Sequence, residues 1–169
     1  MKYKKIALIG MMGSGKSAIS KVLANKLNYK LLELDEIFEK QQNCSIANFF
    51  KKYGEQNFRK IESEILKETF QKENIVLSCW GGVISKKENR DLLFQDNILT
   101  IYLEANIETI YDRIKNNTTR PLLMVENPKK EIERILLQRE KYYNLANIKI
   151  NTDNKKIEEV AKEILLWIK

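Results

Sequence analysis

Gly10-Met11-Met12-Gly13-Ser14-Gly15-Lys16-Ser17 fits G-x-x-x-x-G-K-[ST], the phosphate-binding loop, and its flanks decide how it is read. Before it lies Lys4-Lys5-Ile6-Ala7-Leu8-Ile9, a short apolar run of strand character. After it, residues 17–27 put Ile19, Val22, Leu23 and Leu27 on one helical face. Strand, loop and helix thus follow in the order the motif needs. The glycines let the backbone curl until its N–H groups point inward at phosphate oxygens. The helix N-terminus adds roughly half a positive charge at the same spot. Gly13, Ser14, Gly15, Lys16, Ser17 and Ala18 are therefore candidate ligands of nucleotide phosphates. Lys16 is expected to reach the β- and γ-phosphates, and the Ser17 hydroxyl to hold Mg²⁺.

The 169 residues suit one domain, 1–169, with a sizeable core. The net charge of +7, from 30 Lys+Arg against 23 Asp+Glu, suits an anionic ligand such as ATP. No aromatic-basic stripe or nucleic-acid motif accompanies it, and most lysines are scattered singly, so no nucleic-acid partner is expected. The absence of histidine excludes His bases, His metal ligands and Ser-His-Asp catalysis. Cys44 and Cys79 lack metal-ligand spacing and, with no signal peptide apparent, read as reduced thiols of a cytoplasmic protein. No apolar run reaches membrane-spanning length, so no membrane partner is expected either.

Strand and helix patterns alternate along the chain. Strands are expected at residues 29–34, 75–79, 98–103 and 148–150. Residues 36–53 are polar and aromatic, a small helical insertion that Gly54 breaks before a long helix with Phe58, Ile61, Ile65 and Leu66 on its buried face. Further helices are expected at 86–94, from the Asn106 cap onward, at 129–144 and at 155–168, with a polar loop at 116–128. This alternation predicts a parallel α/β sheet covered on both faces.

In such sheets ligands bind beyond the carboxyl ends of the strands. Glu33 and Asp35 close the second strand, where alternation around Leu34 puts them on one side. A carboxylate pair beside a nucleotide site can hold metal, directly or through water, and orient the hydroxyl that accepts the phosphoryl group. Gly81-Gly82 follows the third strand and lets a ligand approach the backbone. Arg139 shares the apolar face of Ile132 and Ile135, so it must meet an anion or a protein carboxylate. Arg59 has Glu62 as its i+3 neighbour, an arrangement that also suits a helix ion pair. Arg120, in the polar loop, stands as an arginine finger or as a surface charge.

Taken together, the phosphate loop, Glu33-x-Asp35, Gly54-Glu55-x-x-Phe58-Arg59-x-x-Glu62, Gly81-Gly82, Arg120-Pro121-Leu122-Leu123, Arg139-x-x-Tyr142 and Thr152-Asp153-Asn154 resemble shikimate kinase, a P-loop family of the nucleoside-monophosphate-kinase group. The resemblance implies a three-layer sandwich with a five-stranded parallel sheet in order 2-3-1-4-5. It also implies a substrate-binding insertion at about 36–62, a lid at about 116–128, and transfer of the ATP γ-phosphoryl group to the 3-hydroxyl of shikimate in aromatic amino-acid biosynthesis, by a monomer using Mg²⁺. By the same resemblance Asp35 binds the ring hydroxyls, Arg59 and Arg139 the carboxylate, and Gly81 and Gly82 line that pocket. Arg120 becomes the lid residue on the ATP phosphates, while Asp153 and Asn154 lie by the adenine. Lys16, Asp35 and Arg120 are the expected catalytic set, with Ser17 and Glu33 at the metal. Two departures stand out. Glu33 replaces the usual aspartate, and Trp80 replaces the first of three glycines, where it either crowds the pocket or packs beneath it. Sister kinases acting on gluconate or a nucleoside monophosphate remain alternatives. A nucleotide switch remains another, but a GTPase would need Asn-Lys-x-Asp and Asn154-Lys155-Lys156-Ile157 lacks the aspartate.

Overall fold

Strand β1 (Lys5–Ile9) is buried from Ile6 onward because it runs down the middle of a parallel sheet. The computed structural model describes residues 3–116 and 125–168. The other strands are β2 (Lys30–Glu33), β3 (Ile75–Ser78), β4 (Ile98–Glu104) and β5 (Ile148–Asn151), and the sheet order is β2-β3-β1-β4-β5. All four pairings are parallel, with Ala7 between Leu77 and Thr100 at the centre. This is the order the family resemblance implied.

Among the described residues there are also seven α-helices, α1 (Lys16–Leu27), α2 (Leu34–Gln42), α3 (Ile46–Thr69), α4 (Lys87–Leu93), α5 (Ile107–Ile114), α6 (Pro128–Tyr143) and α7 (Ile157–Ile168), and a 3₁₀ turn at Val83–Ser85. Because side chains alternate along a strand, β1 feeds two cores. Ala7 and Ile9 pack with Phe38, Phe58, Ile65 and Tyr143 on one face. Ile6 and Leu8 pack with Ile19, Leu23, Val160 and Ile164 on the other. The result is helix, sheet, helix in three layers. No helix among the described residues is long and apolar enough to cross a membrane.

Local chemistry sets the ends. Asn106 accepts the Thr109 N–H at 2.7 Å and opens α5, as its side chain predicts. Asn127 accepts the Lys130 N–H, and Pro128 starts α6 where its missing N–H costs nothing. Gly54 breaks the helical run as expected, so α3 is two helical segments joined at a kink. It bends α3 through a single non-helical residue at φ 76° and ψ 173°. Asp35 departs from expectation. β2 stops at Glu33, and Leu34 is already helical, so the strand alternation that was to pair Glu33 with Asp35 does not operate. The buried residue is Leu34, and Asp35 stands exposed in the first turn of α2, where the helix dipole favours a negative charge.

Candidate active site

The phosphate loop leaves β1 at its carboxyl end and turns into α1. Gly13 has φ 77°, and a Cβ there would lie 2.8 Å from Ile114 Cγ2, so the loop requires glycine at that point. No side chain caps α1 and its first turn has no acidic residue. The first bond into the helix is from the Ile19 N–H to Gly15 O at 3.0 Å, which leaves the helix start as an anion site built of main chain. Lys16 Nζ donates to Gly10 O at 3.0 Å and Met11 O at 2.9 Å, which holds its charge over the loop. Ser14 is turned inward, its N–H bonded to Met11 O at 3.2 Å and its hydroxyl buried without a partner among the described residues.

Ser17 Oγ donates to Glu33 Oε2 at 3.1 Å and lies 3.4 Å from Ser78 Oγ. Glu33 and Ser78 are register partners at the exits of β2 and β3, so the sheet itself sets this meeting. Hard oxygen donors beside a phosphate cradle fit Mg²⁺, which takes one or two protein oxygens and completes its shell with phosphate and water. No group of three or more His, Cys, Asp or Glu that could hold a metal occurs among the described residues, and such a shell does not call for one. Ser78 escaped the sequence reading. Its place as the last residue of β3 was the available signal.

A second pocket forms where β3 ends. The Gly81-Gly82 turn receives both expected arginines. A Cβ on Gly82 would fall 2.6 Å from Nη1 and Nη2 of Arg59, and one on Gly81 would fall 3.8 Å from Nη1 of Arg139. The same Gly81 position lies 3.4 Å from Gly10 O and Met12 N, so this pocket adjoins the phosphate loop. Arg59 also realises the alternative read for it. Its Nη1 donates to Glu62 Oε1 at 2.7 Å, and its Nε and Nη2 donate to Glu55 Oε1 at 3.3 Å. Glu62 is fully buried, and its Oε2 has no hydrogen-bond partner among the described residues. Burial pushes its pKa up to about 7 against the opposing pull of Arg59, Lys86 and Arg139.

Tyr143, one turn beyond Arg139 on α6, donates its hydroxyl to Gly81 O at 2.6 Å and stacks on Tyr102 at 4.9 Å. The sequence reading picked Tyr142 instead. That ring carries the Arg90 guanidinium at 4.0 Å. Trp80 packs beneath the pocket rather than into it, edge-on to Phe38 and Phe58. Its buried Nε1 lacks a partner among the described residues.

On the far side of the loop, Arg113 donates to Gly13 O at 3.1 Å and to Thr152 O at 2.8 Å. Nothing in the sequence marked it, since it sits on the polar face of α5. Asp153 is largely committed to structure, accepting from the Asn106 N–H at 3.0 Å and Asn151 Nδ2 at 2.9 Å. Burial alone would raise its pKa, but bonds from Asn151, Thr109 and Asn106 hold it below the usual carboxylate range. Asn154 follows, exposed, at φ 56°. Arg120 lies outside the described residues.

A phosphate loop on the central strand of a β2-β3-β1-β4-β5 parallel sheet, with a second anion pocket against it, defines a P-loop kinase fold. A gluconokinase from Sinorhizobium meliloti shares that fold at a TM-score of 0.62 and 16% identity, over 98% of this chain and 91% of its own. The model of the family described as shikimate kinase matches residues 12–169. The shikimate kinase of Thermodesulfovibrio yellowstonii is 39% identical over 162 residues, 96% of this chain and 93% of that relative. The shikimate kinase from Acinetobacter baumannii, solved in complex with shikimate, superposes with a TM-score of 0.94 at 32% identity, over 98% of this chain and 93% of that one. This chain belongs to the shikimate kinase family.

Proposed function

We propose that the chain transfers the γ-phosphoryl group of ATP to the 3-hydroxyl of shikimate, giving shikimate 3-phosphate and ADP for aromatic amino-acid synthesis. The observation that carries this reading is the pair of guanidinium groups, Arg59 and Arg139, drawn to one glycine turn that touches the phosphate loop. A carboxylate-bearing, hydroxylated acceptor uses all of it. Its carboxylate takes the arginine fork, and its hydroxyl then lies toward the γ-phosphate.

The division of labour follows. The loop amides and the start of α1 hold the phosphates, and Lys16 balances charge on the transferring group. Asp35 accepts a hydrogen bond from the 3-hydroxyl and orients it. The hydroxyl oxygen forms the new bond to the γ-phosphorus, the bond to the β–γ bridging oxygen breaks with its electrons on ADP, and the hydroxyl proton leaves toward Asp35 or water. Ser17, with Glu33 behind it, would hold Mg²⁺, which neutralises charge on the β- and γ-oxygens when bound. Arg120, on a lid at about 116–128, adds charge on closure, and Asp153 and Asn154 border the adenine. Residues 1–169 act as one domain, with the insertion at about 36–62 binding the acceptor. The reading needs no nucleic acid, membrane or second copy, and it suits a cytoplasmic monomer.

A coupled assay of ADP release with Mg²⁺ and ATP tests it. Shikimate is expected to support turnover far above gluconate or nucleoside monophosphates. A preference for either of those overturns it.

A further inference from the structure

Trp80 leaves β3 immediately before Gly81-Gly82, yet its side chain takes no part in the pocket those glycines line. The indole, 7% exposed, joins the core between the sheet and helices α2 and α3. It meets Phe38 of α2 at 6.3 Å and 89°, and Phe58 of α3 at 5.8 Å and 78°. From there the rings run on. Phe38 meets Phe49 at 5.0 Å and Phe58 at 4.9 Å, and Phe58 meets Phe50 at 4.5 Å. Every ring in that cluster except Trp80 belongs to α2 or α3. Trp80 is therefore the aromatic joint between the sheet and the α2–α3 unit among these contacts. Phe58 directly precedes Arg59, and the Arg59 guanidinium lies 5.3 Å over the Phe58 ring before reaching Gly82. The path from β3 through Trp80, Phe58 and Arg59 thus returns to the backbone two residues beyond where it began.

We propose that Trp80 is a positioning residue for the acceptor carboxylate, its indole fixing Phe58 and, through Phe58, the distance of Arg59 from the Gly81-Gly82 turn. Edge-to-face pairs gain only within a narrow geometry, and close-packed rings move together when one is removed. Glu55 and Glu62 ride on α3 with Arg59, so their ion pairs set the orientation of the guanidinium within the helix but not the distance of that helix from the sheet. That distance is set by the side chains packed between α3 and the sheet, and of these Trp80 is the one whose ring meets Phe58, the residue before Arg59. Among the described residues Nε1 has no hydrogen-bond partner, so the contacts they give the indole are packing contacts.

The inference rests on Arg59 and Arg139 holding the carboxylate, which Arg139→Lys tests separately. Trp80→Leu is expected to raise the shikimate KM about tenfold, with the ATP KM and kcat at saturating shikimate within about twofold. Trp80→Phe, which restores a ring, is expected to bring the shikimate KM back to within about threefold of wild type. Independently of any change at this position, Trp167→Phe leaves Trp80 as the sole tryptophan, because the chain has 2 and Trp167 is 65% exposed at the far end of α7. In that protein, titrating shikimate without nucleotide is expected to shift Trp80 emission saturably, as the carboxylate neutralises the guanidinium behind Phe58. If emission does not respond, or if Trp80→Leu moves both KM values together or neither, the proposal falls. If Trp80→Leu does not fold, the emission titration decides alone. Should Arg139→Lys raise the shikimate KM while these measurements fail, Trp80 is at fault and the carboxylate pocket stands.

Discussion

The two halves of the site are built on opposite plans. The phosphate half is main chain: curled amides, an uncapped helix start, and Lys16 bonded to the carbonyls of Gly10 and Met11 within the same loop. The acceptor half is side chain: Arg59 from α3, Arg139 from α6 and a glycine turn from β3, with a buried carboxylate, Glu62, as counter-charge. A backbone-built site depends on a few consecutive residues adopting one conformation. A side-chain-built site depends on the packing of every element that carries a member. The first should therefore fail through a single charge without the fold noticing, while the second should respond to changes behind the ligand.

Lys16→Ala is expected to give the largest loss, on the order of 10²–10³ in kcat, because it removes charge stabilisation in the transition state. Its melting temperature should stay within a few degrees of wild type, since its bonds to the Gly10 and Met11 carbonyls lie within one loop rather than between elements. Steady-state kinetics and a thermal melt check both. A collapse of the melt would mean that Lys16 holds the loop together, and the contrast would weaken. Next comes Arg139→Lys, which keeps a charge but loses the planar fork. It should raise the acceptor KM by about a hundredfold, roughly 3 kcal/mol, while calorimetric ATP affinity without acceptor stays put. Equal loss on both ligands would merge the two halves.

The same contrast explains what the sequence could reveal. The phosphate loop was legible because its signature is contiguous and its flanks have strand and helix periodicity. The sheet order was legible only through resemblance, because no local pattern says which strand sits beside which. Asp35 was misplaced on a strand because nothing between Glu33 and Leu34 marks the change of period. There is no glycine, proline or capping hydroxyl there, and a buried Leu34 suits the strand and the helix alike. Arg139 was readable from its phase with Ile132 and Ile135, whereas Tyr143, one further turn along, passed unnoticed beside Tyr142. Whether Trp80 crowded the pocket or lay under it turned on Phe38 and Phe58, which are far away in sequence. Glu62 was read as an ordinary ion-pair partner, since burial of its carboxylate is a tertiary fact.

That burial makes Glu62 a pH-dependent weak point confined to the acceptor half. Its folded pKa, about 7, lies above the ordinary 4.5, so the folded state holds this proton more tightly than the unfolded chain. Stability from this group is greatest below pH 4.5 and is lost as pH rises toward 7. Glu62→Gln removes the titration. From the lower to the upper end of that window the variant should gain about 2–3 kcal/mol relative to wild type, read as the difference between two denaturant-unfolding series. At pH 8 its acceptor KM should still be worse, by about tenfold, because the 2.7 Å bond from Arg59 to this side chain changes from charge-assisted to neutral. Parallel pH profiles would show that the buried carboxylate is not what separates the halves.

The smallest expected effect sits on the boundary between them. Tyr143→Phe deletes the hydroxyl that donates to Gly81 O at 2.6 Å while keeping the ring stacked on Tyr102. Leaving that carbonyl unpaired should cost about 1 kcal/mol, or about 2–4 °C in melting temperature for a chain of this size. The kinetic consequence tells more than the size. A side chain at Gly81 would meet the Gly10 carbonyl, the Met12 amide and the Arg139 guanidinium alike, so a loosened turn disturbs both plans at once. The ATP and acceptor KM values should therefore rise together, each by about twofold, unlike every substitution above. If only the acceptor KM rises, the turn belongs to the side-chain half alone and the phosphate loop is rigid without it. If only the ATP KM rises, Gly81 acts as an extension of the phosphate loop rather than as part of the acceptor pocket.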